Sequence, residues 1–174
     1  MQLIKAQEKD FERVCDLYTR IIGETTGMEQ YARWKKGLYP TEEGIRAYMA
    51  EEALYLFSDG DSLAGAMAIT MEQGEDYHEI AWERKVPDNN VAVVHIFGVS
   101  PDYQRRGIGR DMLRKAILLA RENHKKAVRL DALASNTPAR HLYESEGFRY
   151  RGKRRRYADN TGWTDFCFYE YSLE

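Results

Sequence analysis

The residues Gln104-Arg105-Arg106-Gly107-Ile108-Gly109 stand just before a run with helical spacing that continues to Glu122. A helix start leaves its first backbone N–H groups unpaired, and the helix dipole adds partial positive charge there. Glycine lets a phosphate reach that backbone without a Cβ in the way. Arg105, Arg106 and Arg110 add side-chain charge, so the stretch is suited to a phosphate-bearing ligand. Gly107, Gly109 and the later Asp131 echo the opening of a dinucleotide-binding fingerprint. Met112 occupies the third glycine position, however, and Ser100–Arg106 separate the loop from the preceding strand. A nucleoside-triphosphate loop would need a Lys-Ser or Lys-Thr pair, which is absent.

A second block, "NTPARHLYESEGF" from Asn136 to Phe148, carries a tyrosine, Tyr143, on a predicted helix. A phenol, with an ordinary pKa near 10, can serve as a general acid, and a helix tyrosine also fits a core role. His95, in the apolar run "VAVVHIFGV", has an ordinary pKa of about 6.5 and suits proton removal, although a histidine there also fits a core role. Glu79 and Glu83, just upstream, are alternative bases acting through water. Tyr31, Trp34, Tyr39, Tyr77 and Trp82, with the nearby carboxylates, read either as core aromatics beside a solvated acidic loop, the simpler reading, or as a wall able to receive a cation. Cys15 and Cys167 lie far apart, without metal-ligand or redox spacing, so no metal site and no covalent nucleophile is expected.

The elements that must position these groups follow from periodicity. "MQLIKA" alternates as an opening strand, and apolar residues from Phe11 to Ile22 form a helical stripe ended by Gly23. "MEQYARWKKG" predicts a second short helix stopped by Gly37. Thr41, followed by Glu42 and Glu43, predicts a third, with Thr41 as its N-cap. Ser58-Asp59-Gly60-Asp61 separates two apolar runs as a hairpin turn. After an acidic connection, Val91–Val99 reads as a strand buried on both faces, and simple alternation places Val91, Val93, His95, Phe97 and Val99 on one side of it. Gly98 is a natural place for a bulge. A helix from about Gly107 to Glu122, a strand over Ala127–Leu133, a helix opening at Asn136 and a closing hairpin around Asp159-Asn160 complete the order.

The chain has 174 residues, 43% apolar and 31% charged, with a formal net charge of −2. These values describe one soluble domain, 1–174, and give no general reason to expect a nucleic-acid or membrane partner. The exception is the basic run Arg149–Tyr157, for which a solvated strand face is the simpler reading. No apolar leader or membrane-length run is present, which predicts a cytoplasmic protein.

Two blocks together carry a family resemblance. Gln104-Arg105-Arg106-Gly107-Ile108-Gly109 matches Q/R-x-x-G-x-G/A at every fixed position. Asn136, Ala139, Leu142, Tyr143, Gly147 and Phe148 match N-x-x-A-x-x-L-Y-x-x-x-G-F. The chain resembles the GNAT superfamily of acyl-CoA-dependent N-acetyltransferases. The resemblance implies an α+β fold, with a mixed, mostly antiparallel sheet of about six to seven strands and about four helices. The fourth and fifth strands would splay apart, and acetyl-CoA would enter that gap like an added strand.

The same resemblance implies cofactor contacts from Phe97, Val99, Gln104, Arg105, Arg106, Gly107, Ile108, Gly109, Arg110, Asn136 and Tyr143, with Arg140 as a weaker phosphate ligand. Tyr143 would be the acid, with His95 or Glu83 as base, because Val93 stands where several family members carry a glutamate. Trp34, Tyr39, Glu79 and Trp82 would face the acceptor, a small-molecule amine or a peptide or protein amine. The closing hairpin, with Trp163 and Asp165, would shape either that site or a homodimer contact. The alternative within the same fold is a CoA-binding sensor or partner-binding module without turnover.

Overall fold

The computed structural model describes residues 1–173. Seven strands form one sheet in the order β1-β2-β3-β4-β5-β7-β6. They are β1 (Gln2–Lys5), β2 (Leu54–Asp59), β3 (Ser62–Thr70), β4 (Val91–Val99), β5 (Ala127–Leu133), β6 (Arg149–Ala158) and β7 (Gly162–Ser172). Every neighbouring pair is antiparallel except β4 and β5. Four α-helices accompany them: α1 (Phe11–Glu24), α2 (Glu42–Ala50), α3 (Ile108–Glu122) and α4 (Thr137–Ser145). No helix among the described residues is long and apolar enough to cross a membrane.

Each helix buries its apolar stripe on a face of the sheet. Met112, Leu113 and Ala116 of α3 join Tyr143 of α4 and the inward residues of β4 and β5 in one cluster. Val14, Leu17, Tyr18 and Ile21 of α1 and Ile45 of α2 pack on the other face. Thr41 caps α2 as expected, its hydroxyl accepting the Gly44 N–H at 3.0 Å. Gly23 does not stop α1, which runs on to Glu24.

The helix expected within "MEQYARWKKG" does not form. Gly27, Arg33 and Gly37 all have positive φ, and three left-handed residues in eleven break any helical path. The segment makes isolated turns while Met28, Ala32 and Trp34 join the α1 core. Tertiary packing thus overrides a helical composition.

The sheet divides at β4 and β5. They pair only through Val91–Val93 against Ala127–Arg129. Beyond that point β4 stays with β3 as far as Val99, and β5 stays with β7 as far as Leu133. The wedge between them is the splayed gap that the resemblance implies.

The basic strand β6 is largely neutralised within the molecule. Arg151 donates to Ala81 O at 3.1 Å, Arg154 to Glu79 O at 2.6 Å, and Arg156 to Asp76 O. Lys153 pairs with Asp165 at 2.9 Å. The three arginine contacts pin the acidic connection between β3 and β4 against the sheet. Its inner side is fixed by a buried pair, Arg129 Nε on Glu170 Oε2 at 2.8 Å, with Arg129 also donating to Gln73 and to Arg84 O.

Candidate active site

One cavity of about 1220 Å³ occupies the gap. It exceeds the roughly 300–1,000 Å³ of a typical small-ligand pocket. Its walls come from the residues after α1, the second half of β4, the start of α3, the end of β5, the start of α4 and the tip of the β6–β7 hairpin.

At one end lies the glycine loop. Arg105 and Gly107 both have positive φ, 60° and 80°, and Gly107 is the N-cap of α3. This curls successive backbone N–H groups toward one point at the helix start, a concavity suited to anions. Gly109 has a different reason to be glycine. A Cβ there would meet Leu142 Cδ2 at 3.1 Å and Phe97 Cζ at 3.5 Å, so it permits close packing of α3 on β4 and α4.

Gln104 anchors the loop, donating to Thr25 Oγ1 at 2.8 Å and Val99 O at 3.1 Å. Ile108, Arg105 and Arg110 line the cavity. Arg110 is also held by Glu146 at 2.7 Å. Arg106 lies outside the lining, its guanidinium 5.8 Å from the Tyr103 ring centre. Arg140 is turned to Tyr169 Oη and Ala134 O, at 2.8 and 2.9 Å, and is not free for phosphate. Asn136 both lines the cavity and caps α4, its side-chain oxygen accepting the Ala139 N–H at 3.3 Å.

Along the middle of the cavity runs the free edge of β4. The Ser100 N–H donates to Ala64 O at 2.8 Å. Alternation then turns the N–H groups of Val99 and Phe97 away from β3, into the gap. A bulge makes this possible, and it lies at Ile96–Phe97 rather than at Gly98. Ala66 pairs with Gly98 and Ala68 with His95, so Met67 opposes two residues. Ile96 has φ 41°, and its carbonyl accepts the buried Tyr18 hydroxyl at 2.6 Å.

The bulge also breaks the expected alternation of β4. His95 stays on the face of Tyr48 and Tyr77, whereas Phe97 and Val99 pass to the face of α3. Gly98 is needed for closeness, because a Cβ there would stand 2.8 Å from Ile21 Cδ1. Sequence reading placed Tyr18 only in the core stripe of α1; nothing in the local sequence marks it as the bulge's partner.

The floor carries the titratable groups. Tyr143 is buried among Phe97, Phe148 and Tyr169. Its hydroxyl has no side-chain or backbone partner among the described residues and is not sealed from the cavity. Burial raises its pKa above the ordinary phenol value, so it is protonated at neutral pH.

His95 lines the same floor, stacked on Tyr48 with ring centres 5.6 Å apart and Nε2 3.4 Å from Thr70 Oγ1. Burial lowers its pKa, keeping the imidazole neutral and able to accept a proton. Asp131, at the splayed end of β5, completes the set. One carboxylate oxygen accepts Tyr77 Oη at 2.6 Å; the other has no partner and stays open to the cavity. Burial raises the Asp131 pKa, although the Tyr77 hydrogen bond and His95 oppose this. In the sequence Asp131 is a lone carboxylate in an apolar strand, and the only pattern it joins is the dinucleotide-binding echo with Gly107 and Gly109.

Several sequence candidates lie elsewhere. Glu83 is outside the cavity, paired with Arg151 at 3.3 Å, while its N–H bonds Glu170. Glu79 is on the outer surface near Arg156. Trp82 is buried behind the floor, stacked on Tyr77 and donating to Tyr77 O at 2.7 Å. It thereby holds the tyrosine that holds Asp131. Val93 is buried with Val91 and Phe168, with no carboxylate in its place. Tyr31, Trp34 and Tyr39 do line the cavity. Trp163 and Asp165 do not; the hairpin contributes Ala158, Asn160 and Thr161 instead. No group of three or more His, Cys, Asp or Glu among the described residues is placed to hold a metal ion.

The model of the acetyltransferase (GNAT) family matches residues 11–148. The chain belongs to the GNAT family. Solved GNAT-fold structures superpose along its whole length. A Salmonella typhimurium protein, yncA, described as a putative acetyltransferase with its cofactor acetyl-CoA, gives TM-score 0.71 at 17% identity, covering 100% of this chain and 94% of that one. The ribosomal-protein-S18-alanine N-acetyltransferase of Escherichia coli gives 0.72 at 20%, covering 99% and 94%.

Sequence relatives match over shorter stretches. The N-alpha-acetyltransferase RimI of Mycobacterium tuberculosis is 47% identical over 64 residues, 37% of this chain and 39% of the relative. The [ribosomal protein bS18]-alanine N-acetyltransferase of E. coli K12 is 39% identical over 70 residues, 40% of this chain and 47% of the relative. The matched stretch is thus less than half the length of these GNAT relatives.

Proposed function

We propose that the chain transfers an acetyl group from acetyl-CoA to a primary amine by direct attack within a ternary complex. The observation that carries this reading is the single cavity. It joins the N–H groups of the α3 start and the free edge of β4 to a floor holding Tyr143, His95 and Asp131.

The α3 N-terminus, with Arg105 and Arg110, suits the pyrophosphate. The Phe97 and Val99 N–H groups suit the pantetheine arm, bound as an extra strand, and one of them can stabilise the oxyanion of the tetrahedral intermediate. Asp131 and neutral His95 face the acceptor side and together take the amine's proton. Tyr143 protonates the departing thiolate. Burial keeps the Tyr143 phenol protonated until the thiolate departs. In this proposal His95 and Asp131 share the base role for which the sequence offered His95 or Glu83, because both line the cavity and Glu83 lies outside it.

The test is a pair of measurements. Acetyl-CoA should raise the melting temperature, and an amine panel should release free CoA thiol. Stabilisation without thiol release from any amine would favour a binding module and refute the enzymatic reading.

A further inference from the structure

The segment between α1 and α2 crosses the mouth of the β4–β5 gap and is tied down on both sides. On the β4 side, Thr25 Oγ1 accepts Gln104 Nε2 at 2.8 Å, and Trp34 packs 3.5 Å from the Cβ position of Gly98. On the β5 side, Tyr31 O accepts Ser135 Oγ at 2.9 Å. Arg33 makes two contacts with the β6–β7 hairpin: its guanidinium donates to Thr161 O at 3.0 Å, and its carbonyl accepts Asn160 Nδ2 at 2.9 Å. The left-handed conformation of Arg33, φ 57°, presents both groups to the hairpin. Tyr31, Trp34, Asn160 and Thr161 all line the cavity, so the strap and the hairpin are joined over it.

This joint has a consequence for the acceptor. A peptide bound along such a rim is held through main-chain hydrogen bonds to exposed backbone groups. Here the carbonyls of Tyr31, Arg33 and Thr161 are already used by Ser135, Asn160 and Arg33. Beneath the strap, the acceptor end offers aromatic rings and the open oxygen of Asp131. The guanidinium groups that line the cavity, Arg105 and Arg110, lie at its other end, beside α3. A compact cation fits this chemistry and an extended main chain does not.

We infer that the acceptor is a small cationic primary amine, and that the strap tethered through Arg33, Asn160 and Ser135 excludes a peptide main chain. This rests on the acetyltransferase reading above. The test compares kcat/KM, by thiol release, for small amines (1,4-diaminobutane, agmatine, ethanolamine) and for a hexapeptide with a free N-terminal alanine. In the unmodified protein the best small amine should exceed the peptide at least 100-fold. Arg33→Ala should narrow that ratio at least tenfold by admitting the peptide. Ser135→Ala, an exposed change with little risk to folding, should narrow it in the same direction. Comparable turnover of peptide and small amine by the unmodified protein overturns the inference alone. A ratio that neither variant moves also overturns it. Stabilisation by acetyl-CoA with no thiol release from either class overturns the enzymatic reading, and the inference with it.

Discussion

Replacing Tyr18 by phenylalanine removes one oxygen atom and tests how β4 is held open for its ligand. The Tyr18 hydroxyl donates to Ile96 O at 2.6 Å, and both residues are buried, 2% and 4% exposed. In Tyr18→Phe the ring still fills its place, but the Ile96 carbonyl loses its partner, at a cost of about 1–3 kcal/mol. The same hydrogen bond holds a β-branched residue at φ 41°, where backbone strain is itself about 1–3 kcal/mol. For a chain of this size about 2–4 °C is lost per kcal/mol, so the melting temperature should fall by about 2–12 °C. If the bulge relaxes, the Val99 end of β4 slips one residue against β3, Phe97 takes the place of Gly98 opposite Ala66, and its N–H turns toward β3, away from the gap. Losing one such donor, worth about 0.5–1.5 kcal/mol, should weaken acetyl-CoA binding by about two- to twelvefold. Thermal unfolding and titration calorimetry with acetyl-CoA measure the two effects separately. Ile45→Val is the control, because it thins the core on the same face of the sheet at about 0.5–1.5 kcal/mol without touching the hydrogen bond or the cavity, and it should leave acetyl-CoA affinity unchanged. If Tyr18→Phe lowers stability but leaves affinity as it was, the bulge does not depend on Tyr18 and the reasoning fails.

Tyr143→Phe should lower kcat by tenfold or more while acetyl-CoA still stabilises the protein; unchanged turnover would remove the phenol from the reaction. Asp131→Asn should lower kcat and abolish or displace the acid limb of the kcat/KM–pH profile. That limb should lie above the usual carboxylate range, because burial raises the Asp131 pKa and the base works only when deprotonated. A raised folded-state pKa means that the native protein holds its proton longer than the unfolded chain. The wild-type contribution to stability is therefore lost as pH rises from the unfolded to the folded pKa. Asp131→Asn should accordingly leave the melting temperature at pH 7 unchanged or higher, and a clear fall would contradict this account. Glu170→Gln strands the guanidinium of Arg129 in a site where both side chains are 1% exposed, and should cost about 3–5 kcal/mol in urea unfolding.

The sequence by itself determined the parts of the fold set by local patterning. Alternating runs, helical stripes, the Thr41 cap, the Ser58–Asp61 turn and the two glycine-containing blocks each act through neighbours a few residues away. For that reason the strands, the four helices and the family resemblance were legible in the sequence, and the splayed gap followed only as what that resemblance implies. Three decisions belonged to tertiary structure alone. Tyr18 meets Ile96 across 78 positions, and that contact moves the bulge off Gly98 and separates His95 from Phe97 and Val99. Tyr77 and Asp131 meet across 54 positions, which fixes at the cavity floor a carboxylate that in the sequence was a stray charge in an apolar strand. The segment after α1 is helical in composition, but its ties to Gln104, Ser135 and the β6–β7 hairpin make it a strap across the gap. Each depends on distant groups brought together by packing, and no local pattern records which hydroxyl will reach which carbonyl.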